Sequence, residues 1–348
     1  MSAQALVLRS RRAGVSARVD GRLAVVSLAL LAVTVLAVAG DVAYGELGLP
    51  LTDVLSTLVG FGDEGTRVIV LELRLPRALV AALAGAALAM SGVIFQTFGR
   101  NALASPDIIG VTSGAAFAGV AAFVLGASPA LAPLAAFAGA LGATALMYAL
   151  AWRDGLSPFR LVLVGIGVSA LCVSGISFVL IQGRVEQIQE AYSWLVGSVN
   201  LRTWSDFWPL LAGLAVLTPA VMVLGRSLDA LALGDEAARA LGVNVERTRL
   251  GLVAVGAALA AVGVAAAGPV AFVAFVAPLI ARRLTGVHGA AVMPAAALCG
   301  AALLTAADVI GRIVFAPTEM PVGIVTSVLG APVFLYLLFR ANRVRGAA

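Results

Sequence analysis

The chain has 348 residues, 61% of them hydrophobic and 12% charged, with a mean hydropathy of +1.05. Water-soluble chains are about 45–50% apolar and about 25% charged, so no soluble domain could cover this much apolar surface. The net charge of +5 rests on 23 basic residues, all arginine. Without lysine there is neither a phosphate-binding P-loop nor a Schiff-base site, so any ATP must be hydrolysed by another polypeptide.

Residues 1–22 carry Arg9, Arg11, Arg12, Arg18 and Arg22 ahead of the apolar run Leu23–Gly40. Ala37-Val38-Ala39 resembles a signal-peptide cleavage site, the competing reading. The expectation is a retained first span with its basic flank inside. Further runs of about 20 apolar residues, enough to cross a bilayer, fall near 76–98, 107–126, 130–152, 160–181, 207–226, 249–267, 269–287, 290–315 and 322–340. The 249–287 region could also be one broken unit. The expectation is an all-α polytopic membrane protein of about ten transmembrane helices. A basic cytoplasmic tail (1–22) precedes one transmembrane unit (23–340), and a short cytoplasmic tail (341–348) follows.

An even number of spans puts both termini on one side. With the N-terminus inside, seventeen arginines fall in cytoplasmic segments and six (Arg67, Arg74, Arg77, Arg184, Arg202, Arg312) outside. That is the sense of the positive-inside bias.

Gly85–Val93, GAALAMSGV, recurs as Gly256–Val264, GAALAAVGV, and each copy follows an arginine, Arg77 or Arg249. Small residues at this spacing also permit close helix contact in lipid, so packing alone could explain them. Four spans separate the copies, so they run in opposite directions, as in the inverted repeats of transporters. Ion-coupled carriers place ionisable groups deep in their spans; here Asp308 is the main one. Cys172 and Cys299 fall in apolar runs and read as small buried residues, and the lone His288 makes no metal site.

The stretch 231–250, LALGDEAARALGVNVERTRL, is unlike the rest. Leu233, Ala237 and Leu241 recur at helical spacing, and Asp235 and Arg239 form a favourable i,i+4 pair away from them. Asp235 and Glu236 suit the first turn, and Gly242 is placed to end the helix. So short a helix cannot span a bilayer and is marginal alone. It is either a loop lying on the protein's own surface or a knob that docks into a partner.

Four stretches then resemble the FecCD permease family, the membrane subunits of iron-siderophore and cobalamin ABC importers. They are RLPR (Arg74–Arg77); GVIFQ (Gly92–Gln96) with RNALASP (Arg100–Pro106) and Gly110; LGDEAARALG (Leu233–Gly242); and a closing run. That run starts at Gly268-Pro269 and continues through ADVIGR (Ala307–Arg312) and EMPVG (Glu319–Gly323) to GAP (Gly330–Pro332). The resemblance implies a type II ABC importer permease fold with an inverted internal repeat. It also implies a second, identical or similar permease subunit, two cytosolic ATPases, and an extracytoplasmic substrate-binding protein. The chain itself would bind no cofactor, with ATP and Mg on the ATPases, and would contact membrane lipid and no nucleic acid.

The resemblance makes residues 231–248 the ATPase-coupling region, with Gly234, Asp235, Glu236, Ala237, Leu241 and Gly242 as contacts. Arg74, Arg77 and Arg312 match arginines that receive carboxylates of the binding protein, a fork geometry suited to that role. Without the resemblance, Arg312 reads as a partner of Asp308, and Arg74 and Arg77 as anchors at a helix start with Pro76 in its first turn. Asn101 and Leu103 fall on cytoplasmic gate positions, with Ser157 a further gate candidate; an ordinary turn at Ser105-Pro106 is the alternative. Ala102 replaces the family's usual proline, and Pro278-Leu279 stands where Pro-His is common. The expected function is import of a ferric siderophore across the bacterial plasma membrane by a subunit without its own ATPase site. Cobalamin or haem import is the near alternative, and an ion-coupled secondary carrier is the alternative of another class.

Overall fold

The structure is a computed structural model that describes residues 6–10, 15–19, 21–45, 48–153, 155–314 and 318–345. Arg11 and Arg12 of the basic tail, and 346–348 of the C-terminal tail, lie outside these residues. Two short strands, Leu6–Ser10 and Val15–Val19, pair antiparallel in the tail ahead of the helices, and the transmembrane unit is all-α as expected.

The helices are α1 (Gly21–Ala43), α2 (Leu51–Leu58), α3 (Glu64–Phe98), α4 (Val111–Val124), α5 (Ala132–Ala151), α6 (Pro158–Ile181) and α7 (Val185–Leu195). After them come α8 (Trp204–Ala232), α9 (Asp235–Ala240), α10 (Val245–Ala267), α11 (Val273–Thr285), α12 (Met293–Ile313) and α13 (Val322–Arg345). Among the described residues, seven helical segments are long and apolar enough to cross a bilayer. With the shorter α4 and α11 and the apolar part of α13, Val322–Tyr336, they account for the ten expected segments. The helices α2 and α7 were not anticipated.

Two expected spans change on folding. The 76–98 span is the inner part of the continuous helix α3, whose residues Val68–Arg74 are wound as a π-helix. Pro76 therefore lies mid-helix rather than in a first turn. It has no N–H to give the preceding turn, and the Leu71 carbonyl there accepts from Trp204 Nε1 at 3.0 Å instead. Upstream, Asp63 caps α3 by accepting from the Thr66 N–H at 3.1 Å, and hydrogen bonding from Thr66 holds its carboxyl below the ordinary value. The 269–287 span is helical only over α11. Gly268–Phe272 runs as non-helical backbone, opened by Gly268 at φ +71° and closed by Phe272 at φ +67°. Unpaired backbone at membrane depth is tolerable only inside protein, and Gly268 and Val270 are buried.

The core is built on α3 and α10, which carry the two copies of the repeat. A Cβ added at Gly256 would lie 3.1 Å from the Phe95 ring, and one at Gly263 would lie 3.1 Å from Leu88. As one copy advances the other recedes, so they lie antiparallel, and Ser91 Oγ donates to the Gly256 carbonyl at 2.7 Å. With no hydrophobic drive between helices in lipid, such seams depend on close approach. Gly85 against Gly300, and Gly92 against the Ala274 carbonyl, leave no room for a methyl group.

Candidate functional site

The expected site residues collect at the two ends of the bundle. At one end, α8 runs for 29 residues, roughly 43 Å at 1.5 Å per residue, well beyond the ~30 Å apolar thickness of a bilayer. That excess is long enough to set α9 beyond the apolar layer. Gly234 turns the chain between them at φ +118° and ψ 159°, a conformation open essentially to glycine alone. Gly242, at φ +80°, ends α9: its N–H reaches the Arg239 carbonyl, and the Val243 N–H reaches that of Ala238. This double bond is the Schellman arrangement expected of a helix-ending glycine.

Only Ala238 of α9 is buried. The stripe faces outward, with Leu233 and Leu241 exposed by 72% and 65%, beside exposed Glu236 and half-buried Ala237. Asp235 points the other way. It does not pair with Arg239, as its spacing suggested. Both its oxygens lie 2.7 Å from Arg249 Nη2, and Arg100 Nη2 lies 3.4 Å away. A charged contact from a buried guanidinium outcompetes a solvated neighbour one turn along the helix. Arg249 also donates through Nη1 to the Leu156 carbonyl, while the Leu156 N–H donates to Glu246 Oε2 at 3.3 Å.

These contacts bring the gate candidates beside α9. Asn101 and Leu103 follow Arg100, with Asn101 Oδ1 accepting from the Leu103 N–H at 3.0 Å. Ser157 follows Leu156 and stands at the N-cap of α6. Sequence reasoning missed Arg100, Arg249 and Glu246 as partners. The signal was there for Arg249, which precedes the second repeat copy as Arg77 precedes the first.

At the other end, the three arginines expected on the surface are drawn inward. Arg74 Nη1 donates to the carbonyls of Val42 and Ala43 at 3.1 and 3.0 Å; Arg312 donates to those of Tyr44 and Asp41, each at 3.0 Å. The last carbonyls of α1 lack partners within their own helix, and these two guanidinium groups supply them, with charge of the sign that suits a helix C-terminus. Arg312 also pairs with Asp41 and lies 3.5 Å from Asp308. Arg77 grips Asp308 through two bonds of 2.9 Å and reaches Asn200 at 3.0 Å and Glu319 at 3.1 Å. A cavity of about 500 Å³ opens beside this cluster, lined among others by Arg77, Asn200, Glu319, Glu190 and Trp194. Cys172 and Cys299 are free thiols, and among the described residues no three His, Cys, Asp or Glu side chains group as a metal site.

The model of the FecCD transport family matches residues 21–340. The chain belongs to this family. It is 44% identical over 322 residues to the achromobactin transport system permease protein of Dickeya dadantii (strain 3937), covering 90% of this chain and 91% of that one. It is 39% identical over 326 residues to the ferric enterobactin transport system permease protein of Escherichia coli (strain K12), covering 93% and 98%. A cobalamin import system permease protein of Halobacterium salinarum is 39% identical over 302 residues, covering 84% and 80%. A solved chain described as a metal-chelate type ABC transporter in an inward-facing conformation superposes with a TM-score of 0.82. It is 28% identical and covers 91% of this chain and 99% of its own.

As a FecCD chain, the molecule is a multi-pass transport permease of the ABC-importer kind. Its motif stretches sort by end. RLPR, ADVIGR and EMPVG meet in the Arg77–Asp308–Glu319 cluster, whereas RNALASP and LGDEAARALG meet through Arg100 and Asp235.

Proposed function

We propose that this chain is the permease through which an ATP-driven importer brings a ferric siderophore across the plasma membrane. A second permease, identical or similar, would flank the path. Two ATPases, holding ATP and magnesium, would seat on α9 at the cytoplasmic face, and a binding protein would deliver ligand to the opposite face. The observation that carries the reading is α9: a six-residue helix at the end of the long α8, it ties its acid inward and offers the flanking Leu233 and Leu241 outward. Isolated apolar stripes on short surface helices suit insertion into a partner's groove. The similarity to achromobactin and enterobactin permeases supports the siderophore, and the halobacterial relative supports cobalamin as the second reading.

At the delivery face, carboxylates of the binding protein would compete for Arg77 with Glu319, the more accessible of its two acids at 23% exposed against 2% for Asp308. Arg74 and Arg312 would support that exchange from behind. Asn101, Leu103 and Ser157 would close the cytoplasmic mouth. Reconstitution in proteoliposomes tests the whole reading. Uptake of a ferric siderophore should require ATP, the ATPases and the binding protein. Uptake by the purified chain alone would return the ion-coupled carrier, and uptake of cobalamin in place of the siderophore would select the second reading.

A further inference from the structure

We infer that Arg249 is the positioning residue that hands the movement of α9 to the mouth of the path. The inference rests on the reading that α9 receives an ATPase, and it concerns what happens after that contact is made. Arg249 is only 6% exposed, and its guanidinium joins three segments distant in sequence. It holds both carboxylate oxygens of Asp235 on α9 and the backbone carbonyl of Leu156 in the loop before α6. It also lies 3.7 Å from Glu246 on its own helix. Glu246 in turn takes the N–H of the same Leu156, so this buried residue is held by both of its backbone polar groups. Asp235 is shared further with Arg100, which leads into Asn101 and Leu103.

Arg249 links α9 to the loop before α6 through its bonds to Asp235 and to the Leu156 carbonyl. The α9 helix buries one residue, Ala238, so apolar contact gives it little grip on the bundle. Arg249 Nη2 holds both Asp235 oxygens at 2.7 Å, a charge-assisted contact stronger than the single apolar one. A push on α9 therefore passes through Asp235 to Arg249. From there it reaches Leu156 and Ser157 on one side, and α10 with the buried repeat on the other.

The opposite end has the corresponding part. Arg77 stands eight residues before Gly85 and Arg249 seven before Gly256. Each is buried, and each is ringed by two carboxylates: Asp308 and Glu319 for Arg77, Asp235 and Glu246 for Arg249. The two repeat copies lie antiparallel, so the paired clamps stand at opposite mouths of the same path. Two clamps in equivalent places suit a mechanism in which one mouth is held while the other moves.

The test uses the complete importer in proteoliposomes, with R249Q, R249K, D235N and the double variant R249Q/D235N. Copurified ATPase, ATP hydrolysis and siderophore taken up per ATP are measured on each. A spin label on exposed Phe159, two residues beyond Ser157, reports movement of the loop. For R249Q, the ATPase should still copurify and hydrolyse ATP, while uptake per ATP falls about tenfold or more, the scale of an ordinary coupling free energy. The nucleotide-dependent change at the label should vanish. The double variant should be no worse than R249Q, because one broken link cannot be broken twice, and R249K should recover part of the uptake. Normal uptake per ATP in R249Q, or a label that still responds to nucleotide, overturns the inference. So does additive loss in the double variant. If R249Q fails to fold, D235N must show the same uncoupling, and its absence overturns the inference too. Failure of the docking reading looks different: L241D would leave the ATPase bound, whatever Arg249 does.

Discussion

Replacing Arg77 with methionine removes the centre of the buried cluster that ties α3 to α12 and to the segment before α13. Arg77 makes two bonds of 2.9 Å to Asp308, one of 3.0 Å to Asn200 and contacts of 3.1 and 3.2 Å to Glu319. Removing one partner of a buried pair costs about 3–5 kcal/mol, because the other charge stays buried without compensation. Here Arg312 lies 3.5 Å from the same Asp308 and keeps part of that compensation, which places R77M near the lower end, about 3 kcal/mol. Glu319 sits at the rim, so E319Q should cost at most about 1 kcal/mol. The double variant R77M/D308N should fall short of the sum of its singles by about 1–3 kcal/mol, since both remove one interaction. Unfolding in mixed micelles, titrated with dodecyl sulfate and followed by tryptophan fluorescence, measures all four. Equal losses for R77M and E319Q, or strict additivity in the double variant, would refute the claim that this cluster is a buried lock.

Gly92→Ala places a methyl carbon 1.7 Å from the Ala274 carbonyl oxygen, so α3 and α11 must separate; a loss of about 1–3 kcal/mol or more is expected in the same titration. Trp204→Phe leaves the Leu71 carbonyl without its donor beside Pro76 and should cost about 1–3 kcal/mol. Leu241→Asp touches an exposed side chain and should change stability by less than about 0.5 kcal/mol, yet abolish copurification of the ATPase. Arg74→Met uncaps α1 and should lower thermal stability measurably, with Arg312 still holding the adjacent carbonyls.

Much of the bundle could be read from one-dimensional signals. Apolar length located the spans because a bilayer sets a fixed minimum length whatever the neighbours do. The repeat announced two antiparallel helices, and Gly256 does face Phe95 while Gly263 faces Leu88. Asp235 and Glu236 marked the first turn of α9 and Gly242 its end, since helix-end charge preference and positive φ are local properties. Reading 269–287 as a full span failed at Gly268–Phe272. That segment is apolar in composition, and its backbone is shaped by contact with Trp194 and Gly197, which no local window contains.

The amino-acid order by itself determined that this is a helical membrane protein without a P-loop lysine, where its long helices run, and where a short surface helix begins and ends. Those properties follow from composition, periodicity and backbone stereochemistry, which are local. The tertiary structure alone decided the partners of the charges. Asp235 lies four residues from Arg239 but binds Arg249 and Arg100, and Arg77 finds its acids more than two hundred residues away. Near the apolar layer a charge must be paired or it carries a large desolvation cost, so the pairing goes to whichever group the fold buries beside it rather than to the nearest along the chain.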